Sequence, residues 1–462
     1  MPSSDVLSLT ALEQAALLRA GQLSSVELVR ATLARIDALQ PRLHAFASVW
    51  HERALADAAR KDRALRSGGP LPTFHGVPMG IKDLNVVRWS RTRMGSRGVP
   101  PFVSPVDDLT VRALRRSGFV FVGKTTTSEL GAMPVTEPDT HPPTRNPWQL
   151  EHSAGGSSGG AGAAVAARML ALAQGSDGGG SIRLPSAFCH LFGFKPSRGR
   201  VPDAYGQDDR DLLYTTGPLA TSVDDAAAMV DVLAGLDGGA PHWAPSPPRS
   251  YREAAQRPPP RLSIRVVTRA PIGETDPELA AAVHSAARVL EGLGHDVAPG
   301  AFPDGSLEEF LPVWQGFLAG IPFVRWSRTQ PITRWLADGA RSHPRGFAIT
   351  RRRELEARFL AVFDTADVWL TPTTPTTAPR VGAFTGRPAS EAFTAAAVLG
   401  AFTAPINVTG QPAASVPLGL SAAGLPMGLQ VIGRRFADDV VLQVARQLEQ
   451  ALPWRQRVAP LD

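Results

Sequence analysis

The apolar positions of the chain follow two different periods. From Leu9 through Leu17 and again from Val26 through Ile36 they recur at helical spacing, and an alanine-rich third segment follows, so residues 1–65 predict a helical region packed outside the core. Between Gly76 and Leu236 short apolar runs, Phe119 to Gly123 among them, alternate with helical stretches, and glycine and proline mark the turns. Pro245 to Pro260 reads as an exposed proline-rich connector. After it, LSIRVV predicts a strand, Pro277 to Leu293 its crossover helix, residues 303–362 a helical insert, and ADVWLTPTT with the closing segments strands that rejoin the sheet. This alternation predicts an α/β fold, one large mixed sheet covered by helices on both faces, with residues 66–462 as its core.

Two serines in glycine-rich surroundings stand out against that background. Ser181 closes Asp177-Gly178-Gly179-Gly180-Ser181, where three glycines let the backbone take unusual angles and gather N–H groups into one small volume, as an oxyanion hole requires. A serine hydroxyl is a weak nucleophile without a neighbouring base. Ser157, in Gly155-Gly156-Ser157-Ser158-Gly159-Gly160, is a candidate to pass its proton onward, and Lys82 in GVPMGIKDL is a candidate final acceptor. A lysine accepts a proton only when neutral, a state that burial in an apolar stretch such as Val77 to Leu84 favours.

Composition strengthens the case for Lys82. Lysine occurs only at positions 61, 82, 124 and 195, so arginine supplies 44 of the 48 basic residues. Arginine does not release its proton in a protein, and a site that needs a neutral amine must keep lysine. Lys61 lies on a polar helical stretch, while Lys124 and Lys195 have glycine or proline neighbours and suit structural positions.

These segments together resemble the amidase signature family over nearly the whole length. GVPMGIKDL resembles the family's lysine segment, GGSSGGAGAAVAA its relay-serine loop, GSDGGGSIRLPSAFC its nucleophile loop, and GQPAASVPLG with GLPMGLQVIG its closing strands. The resemblance implies the amidase signature fold and a Ser-Ser-Lys triad with Ser181 as nucleophile, Ser157 as relay behind a cis peptide from Gly156, and Lys82 as base. It implies that Gly178, Gly179, Gly180 and Ser181 donate oxyanion-hole amides and that Ser158, Asp177 and Arg183 brace the two loops. One position departs: where the family more often carries threonine, isoleucine or serine, Gly178 stands. The loop Glu129 to Glu137 resembles a pocket wall of the family, with Met133 as a flexible apolar filler.

Other chemistries find less support. GGSSGG ahead of an alanine-rich helix predicted at 161–174 suggests a phosphate cradle, but no G-x-x-x-x-G-K-[ST] follows. The ten histidines are scattered without ligand spacing, so no metal or other cofactor is expected; His190, after Cys189 in a predicted helix, reads as packed. Formal charge is +6 with no basic run longer than Arg351 to Arg353, which argues against a nucleic-acid partner. A single cysteine excludes an internal disulfide; no secretory signal or membrane span is expected, and the enzyme is expected to be cytoplasmic and, from the family, a homodimer.

The insert carries Phe310, Trp314, Phe317, Phe323, Trp326, Trp335 and Phe347 among arginines. Such spacing marks helix core more often than substrate contacts, yet in the family this region varies the acyl pocket, so an apolar or aryl acyl group is expected. Three functions follow: hydrolysis of a small organic amide, with activated esters open to the same chemistry; glutaminase action within a tRNA-dependent amidotransferase; or an inactive scaffold. Glutamine would need paired charges for its α-amino and α-carboxylate groups, and no such pair stands out in the variable region.

Overall fold

A computed structural model describes residues 3–100, 102–206, 211–235 and 244–461; Leu236, where the first alternating stretch ends, lies outside them. Eight strands form one mixed sheet in the order Asp296–Pro299, Ser263–Val266, Val368–Pro372, Pro426–Gly433, Ala413–Leu420, Phe192–Lys195, Thr215–Ala220 and Leu172–Asp177. The first three run parallel, and the remaining pairings are antiparallel. A three-stranded sheet, Phe46–Val49, Val120–Thr125 and Pro78–Lys82, lies beyond the Leu172–Asp177 edge. A side chain bridges the two edges: the Lys82 N–H donates to Gln174 Oε1 over 3.0 Å. The α/β architecture is the one the sequence predicts.

The first helices start where local chemistry says they should. Thr10 and Glu13 form a reciprocal capping box ahead of Ala11–Arg19, and Ser24 and Glu27 another ahead of Ser25–Leu43, so two otherwise orphaned amides are satisfied at each start. The second helix continues past Ile36 to Leu43 and stops at His44, whose φ of 52° is left-handed. His51–Arg66 is the alanine-rich third. Phe46–Val49, between them, pairs with Val120–Thr125; four residues are too short to show a strand period, and the sequence reading misses it.

Three further expectations need correcting. The helix predicted at 161–174 spans Gly159–Ala166; Arg168 turns the chain with φ 55°, and Leu172–Asp177 is a buried edge strand that alanine-rich composition disguised. His190 lies beyond the Arg183–Phe188 helix, at φ 59°. The Pro245 to Pro260 segment is not wholly exposed, since Ser250 caps a short helix, Tyr251–Ala255, whose Tyr251 is buried. Residues 303–362 contain the helices Leu307–Ala319 and Pro331–Ala340 and most of Phe347–Phe363. The first of these packs its aromatics together, with Trp314 5.4 Å from Phe317 and 6.1 Å from Phe310 between ring centres. No described helix is long and apolar enough to cross a membrane.

Candidate active site

Lys82 is the last residue of its strand, and the fold buries it completely. Its Nζ donates to Ser157 Oγ at 2.8 Å, Ser158 Oγ at 2.7 Å, Ser176 Oγ at 3.1 Å and the Ser176 carbonyl at 3.3 Å. Among the described residues no carboxylate bonds to it. Burial pulls its pKa down to about 7, and the more distant charge of Asp177 only partly opposes that pull. Ser157 and Ser158 come from the glycine loop ahead of Gly159–Ala166, and the Gly156–Ser157 peptide is cis.

The second loop is organised by a buried ion pair. Asp177 ends the Leu172–Asp177 strand, and its two oxygens accept from Arg183 Nε at 2.9 Å and Nη2 at 2.8 Å, from the Ile182 amide at 3.1 Å and from Asn407 Nδ2 at 3.0 Å. Burial raises a carboxyl pKa, but the Arg183 guanidinium and these donors outweigh it and hold Asp177 far below the usual carboxylate range. Arg183 also donates to Gln430 Oε1 and Asn407 Oδ1, both at 2.6 Å, which ties the loop to a central strand and to the Ala404–Thr409 helix. Ser158 acts between the loops: its amide donates to the Ser181 carbonyl at 3.2 Å.

One expected amide donor is already engaged. The Gly180 N–H donates to Asp177 Oδ1 at 2.7 Å, so it does not face a substrate oxygen. Gly178, Gly179 and Ser181 keep their amides out of the backbone ladder and form the remaining candidate hole. Gly180 instead lets the turn form, since its φ is 126° and a Cβ there would lie 2.3 Å from Thr403 Oγ1. Lys82 and Ser157 are hydrogen-bonded to each other, whereas Ser157 and Ser181 are not.

Ser181 lies where two cavities meet. One is a chamber walled by Met133, Leu184, Ile272, Phe310, Phe359 and Phe393. The other is a wide groove that also reaches Ser157 and Ser176. Trp314 borders both. Sequence reasoning overlooked Gln174, Ser176, Asn407, Gln430 and Thr403. A polar residue inside an apolar strand, as in GLPMGLQVIG, was the available signal for Gln430. Among the described residues no group of three or more His, Cys, Asp and Glu could hold a metal ion.

The fold and the matches to known proteins together define an amide hydrolase. The Amidase family model matches residues 27–318 and 325–442, and the chain belongs to that family, whose members cleave carbon–nitrogen bonds other than peptide bonds. It is 36% identical over 469 residues to a candidate amidase of Synechocystis sp., covering 99% of this chain and 92% of that one. It is 37% identical over 403 residues to a component of the glutamyl-tRNA(Gln) amidotransferase of Synechococcus sp., covering 80% and 82%. The solved 6-aminohexanoate cyclic dimer hydrolase superposes with a TM-score of 0.88 at 32% identity, covering 98% and 99%.

Proposed function

We propose that the chain hydrolyses a small organic amide with an apolar or aryl acyl group through a seryl acyl-enzyme, using Ser181, Ser157 and Lys82. The observation that carries this reading is the 2.8 Å contact from Lys82 Nζ to Ser157 Oγ at a lysine whose pKa burial pulls down to about 7. A neutral amine has two hydrogens and one lone pair. Ser158 Oγ spends its own hydrogen on the Ser176 carbonyl at 3.3 Å, and of the two remaining hydroxyls Ser157, at 2.8 Å against 3.1 Å for Ser176, is the closer to that lone pair. Ser181 Oγ then attacks the carbonyl carbon while its proton moves to Ser157 and the Ser157 proton to Lys82. The amides of Gly178, Gly179 and Ser181 receive the oxyanion. The proton returns through Ser157 to the leaving nitrogen as the C–N bond breaks, and water cleaves the acyl ester by the same relay. Asp177, Arg183 and Ser158 position the two loops, and the helical insert at 303–362 shapes the acyl pocket.

The chamber favours an organic amide over glutamine. Its one charged side chain among the described residues, Glu309, is held by Arg351 at 3.0 Å and by Arg358 at 2.9 and 2.7 Å, which leaves no free pair of opposite charges for an amino acid. Mass spectrometry of protein quenched during turnover tests the proposal. An acyl adduct on the peptide carrying Ser181, absent in Ser181→Ala, is expected; turnover of amides by well-folded Ser181→Ala within tenfold of wild type would defeat it.

A further inference from the structure

Both cavities reach Ser181 but only one reaches Ser157, and that asymmetry orients the substrate. Ser181 and Gly131 line both, but Ser157 and Ser176 line only the groove. Whatever group takes the proton from Ser181 must hand it to the departing nitrogen. The nitrogen therefore has to lie on the Ser157 side. We propose that the smaller chamber holds the acyl group and the groove holds a bulky apolar amine, so that the preferred substrates are N-substituted amides rather than primary amides. This rests on the triad reading above.

The groove fits such an amine in size and in chemistry. Ammonia needs no groove, yet this one runs from Leu84 to Ile349 across several elements. Ten large hydrophobic side chains are exposed among the described residues, and five of them, Phe102, Val106, Tyr205, Phe323 and Ile349, line it. Exposed apolar surface gathered at one mouth marks a binding site more than chance scatter does. Phe323 is 89% exposed and sits at φ 65°, a left-handed conformation unusual for a bulky residue. The carboxylates of the groove are already engaged, which disfavours a cationic amine. Asp107 accepts from Arg115 at 2.7 Å, Asp108 from Asn85 at 3.0 Å and the Val86 amide at 2.7 Å, and Asp211 from Arg352 at 2.8 Å.

Trp314 is the wall between the two sides, and Gly178 gives it room. A Cβ at Gly178 would touch the Trp314 ring at 3.6 Å and Tyr214 Cβ at 3.5 Å, both ordinary contacts, so the indole packs directly against this glycine. Glycine at this position of the nucleophile loop thus fits a chain that places a large indole over its oxyanion turn.

The test uses the purified full chain and phenylacetamides of ammonia, methylamine, butylamine and octylamine, the three alkylamines being close in basicity. Relative to N-methyl, the N-octyl amide should gain at least tenfold in kcat/KM, and the primary amide should be the poorest. Phe323→Ser with Ile349→Ser, both at the surface, should flatten the chain-length gain. As a second readout, octylamine should intercept the acyl-enzyme formed from phenylacetate p-nitrophenyl ester at least tenfold more efficiently than methylamine. Equal rates across the alkyl series, or preference for the primary amide, would overturn the inference while leaving the triad intact. No cleavage of any amide and no acyl adduct on Ser181 would overturn the triad reading, and this inference with it.

Discussion

Lys82 and Lys124 stand on neighbouring strands, both fully enclosed, and they meet opposite chemistry. Lys124 Nζ lies 2.7 Å from Asp83 Oδ1 and donates to the Asn85 carbonyl at 2.7 Å and to Thr92 Oγ1 at 3.0 Å. Burial lowers the pKa of Lys124 too, but the Asp83 carboxylate against it favours the ammonium form. Lys82 has three hydroxyls and a carbonyl around it, acceptors without full charge. A carboxylate in contact favours the ammonium form of a buried lysine, and its absence at Lys82 leaves burial to favour the neutral amine.

Substituting the two lysines should separate chemistry from stability. Lys82→Arg and Lys82→Met are expected to lose about 10⁴-fold or more in kcat/KM, since neither can accept a proton from Ser157. Lys82→Met should keep its stability within about 1 kcal/mol at pH 7, because it strands no carboxylate. Lys124→Met leaves Asp83 buried without its cation and should cost about 3–5 kcal/mol by denaturant titration. An active Lys82→Arg, or a Lys124→Met as stable as wild type, would break the contrast.

The stability difference between wild type and Lys82→Met has a definite sign with pH. Burial depresses the folded pKa of Lys82 to about 7, below the unfolded value of about 10.4. The unfolded state therefore binds the extra proton between those values, and wild type should gain stability over Lys82→Met as pH rises from 7 toward 10. Denaturant titration of both proteins at pH 7 and pH 9.5 checks it.

Smaller effects sharpen the same picture. Ser157→Ala should slow turnover about a hundredfold, a weaker loss than at Lys82 because a water can stand in for the relay hydroxyl, as single-turnover kinetics would register. Gly180→Ala places a methyl group against Thr403 in a backbone conformation that disfavours it, and about 1–3 kcal/mol of stability should be lost. A wild-type melting temperature in Gly180→Ala would mean that the turn is not fixed by that contact.

Much of this site could be read from the chain because its parts are local and chemically unusual. Ser157 and Ser181 sit in glycine runs, and Lys82 is conspicuous where arginine serves almost everywhere else. The parts that escaped reading depend on distant segments meeting. Asn407 and Gln430 reach Arg183 from more than 200 positions away, and Trp314 reaches the nucleophile loop from the insert. The capture of the Gly180 amide by Asp177 depends on where a carboxylate turns, which no spacing encodes. In the fold, capped helices were legible, while Leu172–Asp177 was hidden because apolar residues with alanine suit a helix and a buried strand equally.

With only four lysines in the chain, their side-chain resonances can be followed one by one in protein labelled with ¹³C at lysine Cε. Burial lowers Lys82 and Lys195 alike to about 7, so two signals should titrate near neutrality, one of them missing in Lys82→Met, and kcat/KM should rise with pH through the same midpoint as the missing one. A Lys82 signal that stays protonated until about pH 10, the value of a free lysine, would contradict its role as the neutral base.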